Sequence, residues 1–251
     1  MITPPPSDLP RHDARRLWTV AGGDHARFEE LARRRTAGEP LQYLEGTAPF
    51  GPFDLLVDER VLIPRPETEQ LWELAMRTVE HPRVVVDLCT GSGALAVACK
   101  STWPEARIVA TDLSGDAVAV ATENIRRQTV EVDVFKGDLF APLPDDLRGS
   151  VDLIVSNPPY VRADEWPDLP SDVRKEPRMA LVAGPEGTEI LARIAQEAPS
   201  WLAGDGVVIC EMGETQADAV RTAFSRSFES VSVERDLAGR DRFVVARGRR
   251  V

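Results

Sequence analysis

No apolar run in this 251-residue chain approaches the roughly 20 residues needed to cross a bilayer. The amino terminus, MITPPPSDLPRHDARR, lacks the apolar stretch of a signal peptide, so a cytoplasmic location without membrane association is expected. Cysteine is scarce: Cys89, Cys99 and Cys210 include no CxxC pair, which supports neither a disulfide framework nor a zinc site. No metal is expected, and the three read as buried thiols. Histidine is confined to His12, His25 and His81, all ahead of the main α/β pattern, which excludes a Ser-His or Cys-His nucleophile in the core. Basic charge is also short: 30 Lys and Arg against 41 Asp and Glu leave a formal net charge of −11, which argues against a nucleic-acid substrate.

What is present is ordinary globular material, 43% hydrophobic and 28% charged. After a proline-rich start, helical spacing at Leu17, Trp18, Phe28, Leu31 and Ala32, broken at Gly22-Gly23, predicts two short helices in a small appendage over residues 1–38. Residues 39–69 alternate turn residues with short apolar runs, Phe53 to Val57 and Val61 to Ile63, and read as a β-hairpin linker ending in a helix start at Pro64-Arg65-Pro66-Glu67-Thr68-Glu69. Residues 70–251 form the main domain. From residue 84 strands and helices alternate regularly, which predicts an α/β fold with a mostly parallel, Rossmann-like sheet. Two closing strands, around 230–235 and 242–247, predict an antiparallel edge.

The first strand of that pattern, Val84 to Leu88, runs into Cys89-Thr90-Gly91-Ser92-Gly93 and then a helix. Glycines there allow positive φ and the close approach of a ligand to backbone. Strand two ends at Asp112, followed by Leu113, where a carboxylate could accept hydrogen bonds from both ribose hydroxyls of an adenosine cofactor. Gly91-x-Gly93-x-x-Ala96 also satisfies a dinucleotide fingerprint, so a NAD-dependent oxidoreductase stands as a rival. Asp87, placed to meet an ammonium, and Asp138 with Leu139, placed to meet adenine, favour S-adenosylmethionine; a turn cap is the plainer reading of Asp138.

Strand four ends in Ser156-Asn157-Pro158-Pro159-Tyr160, at the switch point of an open parallel sheet. An amide, guanidine or exocyclic amine nitrogen is a poor nucleophile because its lone pair is delocalised. The Asn157 side-chain oxygen and the Pro158 carbonyl could each accept one of its N–H groups and aim the lone pair, with Pro158-Pro159 stiffening the loop and Tyr160 packing on the planar acceptor. A rigid turn is the alternative for the motif alone. Adenine-N6 methylation of nucleic acid would expect a basic target-recognition segment for which the chain has no spare length.

GEPLQYLEG at 38 to 46, VLIPRPETE at 61 to 69, DLCTGSGAL at 87 to 95, SNPPY at 156 to 160 and EPRMALVAGPEG at 176 to 187 together resemble the HemK/PrmC family of protein-(glutamine-N5) methyltransferases. The resemblance implies a class I S-adenosylmethionine-dependent fold with S-adenosylhomocysteine as product. It places cofactor contacts on Cys89 to Gly93, Asp112, Leu139 and Asn157, and a glutamine-binding loop on Asn157 to Tyr160. The partner it implies is a peptide-chain release factor or another glutamine-bearing protein. Three departures stand out: Cys89 where glycine is frequent, Leu139 where an aromatic is common, and a short segment before GEPLQYLEG. The last admits a small-molecule amide or guanidine as acceptor, with Arg65, Glu67 and Glu69 as candidate contacts or, alternatively, as capping and pairing residues of a helix start.

Overall fold

The computed structural model describes residues 9–250; the first eight residues of the proline-rich start lie outside the described residues. Two helices come first, α1 (Arg11–Val20) and α2 (His25–Thr36), separated at Gly22-Gly23 as the spacing predicts. Asp24 caps α2 by accepting from the Arg27 amide at 3.1 Å. Leu17, Phe28, Leu31 and Ala32 pack with Leu41 and Leu44 of a short third helix, α3 (Leu41–Glu45). That helix is five residues long, too short to show a helical period in sequence.

The hairpin is present but displaced from its expected arms. Its strands are β1 (Thr47–Phe50) and β2 (Phe53–Leu56), whereas Val61 to Ile63 pair with no strand among the described residues. Val57, Val61 and Ile63 are apolar because they cover Ala117 and Val120 of a later helix. α4 (Pro66–Thr78) follows, with proline in its first turn, where the missing N–H has no cost.

The central sheet has seven strands: β3 (Val84–Leu88), β4 (Arg107–Asp112), β5 (Asp133–Lys136), β6 (Val151–Ser156), β9 (Leu202–Glu211), β10 (Phe228–Arg235) and β11 (Asp241–Arg249). Their order is β10-β11-β9-β6-β3-β4-β5. β11 runs antiparallel to both neighbours and the remaining pairs are parallel, as the closing pair of strands predicts. The short strands β7 (Val161–Arg162) and β8 (Val182–Gly184) pair outside this sheet.

Successive side chains of a strand face opposite ways, so each buried strand feeds two cores. Val85, Leu153, Val207 and Ile209 face α4, α5 (Ala94–Thr102) and α6 (Gly115–Arg127). Val86, Ile154, Val208 and Cys210 face α7 (Glu189–Glu197) and α8 (Ala217–Ser225). The result is an α/β sandwich, with helices on both faces of a mostly parallel sheet. Its topology places the carboxyl ends of β4, β3, β6 and β9 side by side, which is where a ligand crevice forms in such sheets.

One buried polar residue ties the hairpin to that crevice. Asn124, on the apolar face of α6, accepts from the Leu56 amide at 2.7 Å and donates to the Leu56 and Ser92 carbonyls at 3.0 and 2.8 Å. Asn124→Ala leaves three backbone groups without this partner, the Ser92 carbonyl buried and the two of Leu56 partly so. It is expected to destabilise the fold by about 3 kcal/mol, read by urea denaturation; a change below about 1 kcal/mol would mean that water replaces the amide there.

Candidate active site

A cavity of about 270 Å³ opens over the carboxyl ends of β3, β4 and β6. Of the residues singled out in sequence, Asp87, Cys89, Thr90, Gly91, Ser92, Asp112, Leu113, Asp138, Leu139, Asn157 and Pro159 line it. Gly93, Pro158, Tyr160, Arg65 and Glu67 do not.

Asp87 lies on the α5 face of β3 and is 0% exposed. Its Oδ2 accepts from the Thr90 hydroxyl at 2.5 Å and from the Ala96 amide at 3.1 Å, while Oδ1 has no hydrogen-bond partner among the described residues. Burial pushes its carboxyl up to about 7. An orphaned, buried carboxylate oxygen is costly unless a cation or donor meets it. That arrangement suits an ammonium group.

Asp112 closes β4 and holds the glycine turn in place: Oδ2 accepts from the Gly91 amide at 2.9 Å and Oδ1 from the Ser114 amide at 2.8 Å. A carboxylate has about four acceptor positions, so two remain for paired hydroxyls. Desolvation raises its pKa above the ordinary value. The two glycines of the turn differ in role. Gly91 has φ +55° and open space where a Cβ would stand, so the turn can admit a ligand; a Cβ on Gly93 would lie 3.1 Å from that of Ala121, so its glycine serves the packing of α5 on α6.

Cys89 takes positive φ (58°), a conformation that suits glycine. It is only partly buried, unlike Cys99 and Cys210, so the expectation of three buried thiols is corrected at this position. Cys89→Gly is expected to raise stability by about 1 kcal/mol by relieving backbone strain, and a lowered thermal midpoint would show that thiol packing outweighs it.

Leu139 also has positive φ (47°) and is buried; the Thr111 hydroxyl donates to its carbonyl at 2.9 Å. Leu113, by contrast, is 58% exposed at the cavity rim. Asp138 reaches the cavity, but its carboxylate is held from outside by Arg193 at 2.9 Å.

The Asn157 loop is fixed at several points. The Ser156 hydroxyl donates to the Leu88 carbonyl at 2.7 Å, and the Tyr160 and Val161 amides both donate to the Leu181 carbonyl. Gln216 Nε2 donates to the Tyr160 carbonyl at 2.7 Å. Asn157 Nδ2 donates to the Thr68 hydroxyl at 2.9 Å. Among the described residues, neither the Asn157 side-chain oxygen nor the Pro158 carbonyl accepts a hydrogen bond from the protein. Pro158 is buried, and the Tyr160 hydroxyl donates to Glu211 at 3.0 Å.

The helix-start charges lie elsewhere. Arg65 pairs with the buried carboxylate of Glu176, which also accepts from the Ile63 amide at 2.9 Å, and Glu67 pairs with Arg240 at 3.0 Å. Their pairing is the plainer of the two roles the sequence allows. Through Glu176, EPRMALVAGPEG meets VLIPRPETE, and through Thr68 the latter meets Asn157.

Thr68, Glu211 and Met179 were not among the residues picked out as functional. Met179 lines the cavity and is 50% exposed. The signal for Glu211 was an acid closing a buried apolar strand; Thr68 carried no sign beyond its place in a motif. No group of three or more His, Cys, Asp or Glu among the described residues could hold a metal, and no helix among them is long and apolar enough to cross a membrane.

The Methyltransferase small domain family matches residues 70–175. The release factor glutamine methyltransferase of Corynebacterium glutamicum is 41% identical over 228 residues, covering 88% of this chain and 81% of that protein. The enzyme of the same name from Mycolicibacterium smegmatis is 42% identical over 226 residues, covering 88% and 79%. Among solved structures, a T. thermophilus 16S rRNA methyltransferase in complex with AdoMet and guanosine superposes with a TM-score of 0.59 at 16% identity, over 81% of this chain and 50% of that one. That likeness is one of fold.

Proposed function

The chain belongs to the release factor glutamine methyltransferase family, and from that membership we propose that it methylates the side-chain amide nitrogen of a release-factor glutamine, using S-adenosylmethionine held in the cavity over β3, β4 and β6. The observation that carries this reading is the state of the Asn157 amide. Its NH₂ is committed to Thr68, so its oxygen is left to receive an N–H of the acceptor.

When bound, S-adenosylmethionine supplies an electrophilic methyl group on a sulfonium. Asp87 Oδ1 would take its ammonium, Asp112 its ribose hydroxyls, and Leu113 and Leu139 the faces of its adenine; Gly91 leaves room for it beside the turn. Asp138 has a weaker claim on the adenine amine, because Arg193 competes for its carboxylate.

Asn157 Oδ1 and the Pro158 carbonyl would accept the two amide N–H groups of the glutamine. Holding both in one plane turns the nitrogen lone pair toward the methyl carbon. Attack makes that nitrogen strongly acidic, and its proton passes to water, so no basic side chain is needed at the acceptor. Tyr160 supports the loop through Glu211 rather than walling the cavity. Incubation with tritiated S-adenosylmethionine should label a glutamine peptide and spare its glutamate counterpart; equal labelling of the two, or of neither, would refute an amide acceptor.

A further inference from the structure

We infer that Thr68 and Glu211 are positioning residues, which dictate that the Asn157 amide turns its oxygen, and not its nitrogen, toward the acceptor. The inference rests on the reading that Asn157 receives an acceptor N–H.

Parallel pairing of β6 with β9 sets Ser156 opposite Cys210, so Asn157, which leaves the sheet after β6, comes next to Glu211, the last residue of β9. Glu211 follows Ile209 onto the α4 face, where Thr68 waits in the first turn of α4. Glu211 is 1% exposed. Its Oε2 accepts from the Thr68 hydroxyl at 2.9 Å and its Oε1 from the Tyr160 hydroxyl at 3.0 Å.

An ionised carboxylate only accepts, so the Thr68 proton is spent on Glu211. The Thr68 oxygen then has only lone pairs to offer Asn157, and Asn157 must present Nδ2 to it, as it does at 2.9 Å. The two ends of an amide have nearly the same shape, and packing alone does not tell them apart. The carboxylate does so from two hydrogen bonds away. A flipped Asn157 would set its own NH₂ against the acceptor's N–H and lose the alignment on which transfer depends.

The cost of burying this carboxylate suggests a purpose beyond stability, since apolar side chains fill such space more cheaply. The groups facing it are Thr68 and Glu67 from α4, Tyr160 from the loop after β6, and Arg242 from β11, whose charge favours the ionised form. Burial raises the Glu211 carboxyl to about 7. Once protonated, Glu211 can donate to Thr68, which frees the Thr68 proton for Asn157 Oδ1 and releases the flip. Methyl transfer should therefore fall as pH drops below 7.

The test measures kcat and KM for S-adenosylmethionine and a glutamine peptide from pH 5.5 to 8.5 in wild type, Thr68→Val, Thr68→Ser, Glu211→Gln and the Thr68→Val/Glu211→Gln double variant. Thr68→Val keeps the shape and removes the relay. It should lower kcat by about 10–100-fold with KM for S-adenosylmethionine nearly unchanged and no acid limb, while Ser restores most of the rate. Glu211→Gln should hold kcat at the low-pH wild-type level throughout, and the double variant should be no slower than Thr68→Val. A Thr68→Val enzyme as fast as wild type, losses that multiply in the double variant, or an acid limb in kcat that survives in Glu211→Gln would each overturn the inference. If Thr68→Val does not fold, the pH profile of Glu211→Gln decides. A wild type that methylates no amide overturns the functional reading and this inference together; an active wild type with unimpaired variants overturns this inference alone.

Discussion

Asn157→Ala is expected to lower kcat by about 10²–10³-fold at saturating S-adenosylmethionine, while the affinity for S-adenosylhomocysteine changes by no more than a few-fold. The asymmetry follows from the geometry. The Asn157 amide is anchored to Thr68 on the side of α4, and its free oxygen is the group that would orient the acceptor. The cofactor's proposed contacts, Asp87 and Asp112, come from other strands and keep their own hydrogen bonds in the variant. Steady-state kinetics with a glutamine peptide, paired with isothermal titration of S-adenosylhomocysteine, separate the two effects. A variant that loses product affinity and keeps kcat would place Asn157 in cofactor binding and remove it from acceptor alignment.

Asp87→Asn should give the opposite pattern, weakening S-adenosylhomocysteine binding by about 10²-fold. The argument is electrostatic. Asp87 Oδ1 is buried without a partner among the described residues, and burial raises the carboxyl from its ordinary 3.8 to about 7. Below pH 7 the free protein carries a proton there, which an ammonium must displace. Affinity should thus fall by up to tenfold for each pH unit below 7 in wild type, and stay flat in Asp87→Asn.

Stability of the ligand-free protein moves the other way. Because the folded form holds the proton more tightly than the unfolded chain, this group's contribution favours folding at low pH and is lost as pH rises from about 4 to 7. Bound S-adenosylhomocysteine should flatten that loss, and thermal melts with and without it over this range give the comparison. An affinity independent of pH in wild type would mean that Asp87 meets no cation.

Much of the fold was legible because buried parallel strands are written as β-branched runs. Val84 to Leu88 and Val151 to Ser156 could be bounded to the residue, and both end where their loops become functional. The hairpin was harder. Thr47-Ala48-Pro49-Phe50 contains a proline and looks like a turn, yet Pro49 is tolerated in a two-stranded edge where one side of each strand has no partner. Val61 to Ile63 looked like a strand because burial against α6 selects the same apolar residues as a sheet does. β7 and β8 are two and three residues long, and only their long-range pairing makes them strands.

The site divides along the same line. Asp87, Gly91, Asp112 and Asn157 are local signals, each at the end of a strand or in the turn that follows it, and they converge because the strand order sets those ends together. Thr68 and Glu211 are separated from Asn157 by much of the chain, and their connection exists only once β9 is in register with β6 and α4 lies across them. Charge placement was the least readable feature. Arg65 and Glu67 stand within VLIPRPETE, but their partners, Glu176 and Arg240, are supplied by distant segments that sequence spacing does not connect.

The most direct measurement is peptide mass spectrometry of a release factor incubated with this protein and isotopically labelled S-adenosylmethionine. The account predicts one labelled methyl group on a glutamine side-chain nitrogen, formed far more slowly by Asn157→Ala. Label on another type of residue, or an unlabelled release factor alongside a labelled free amino acid, would contradict it.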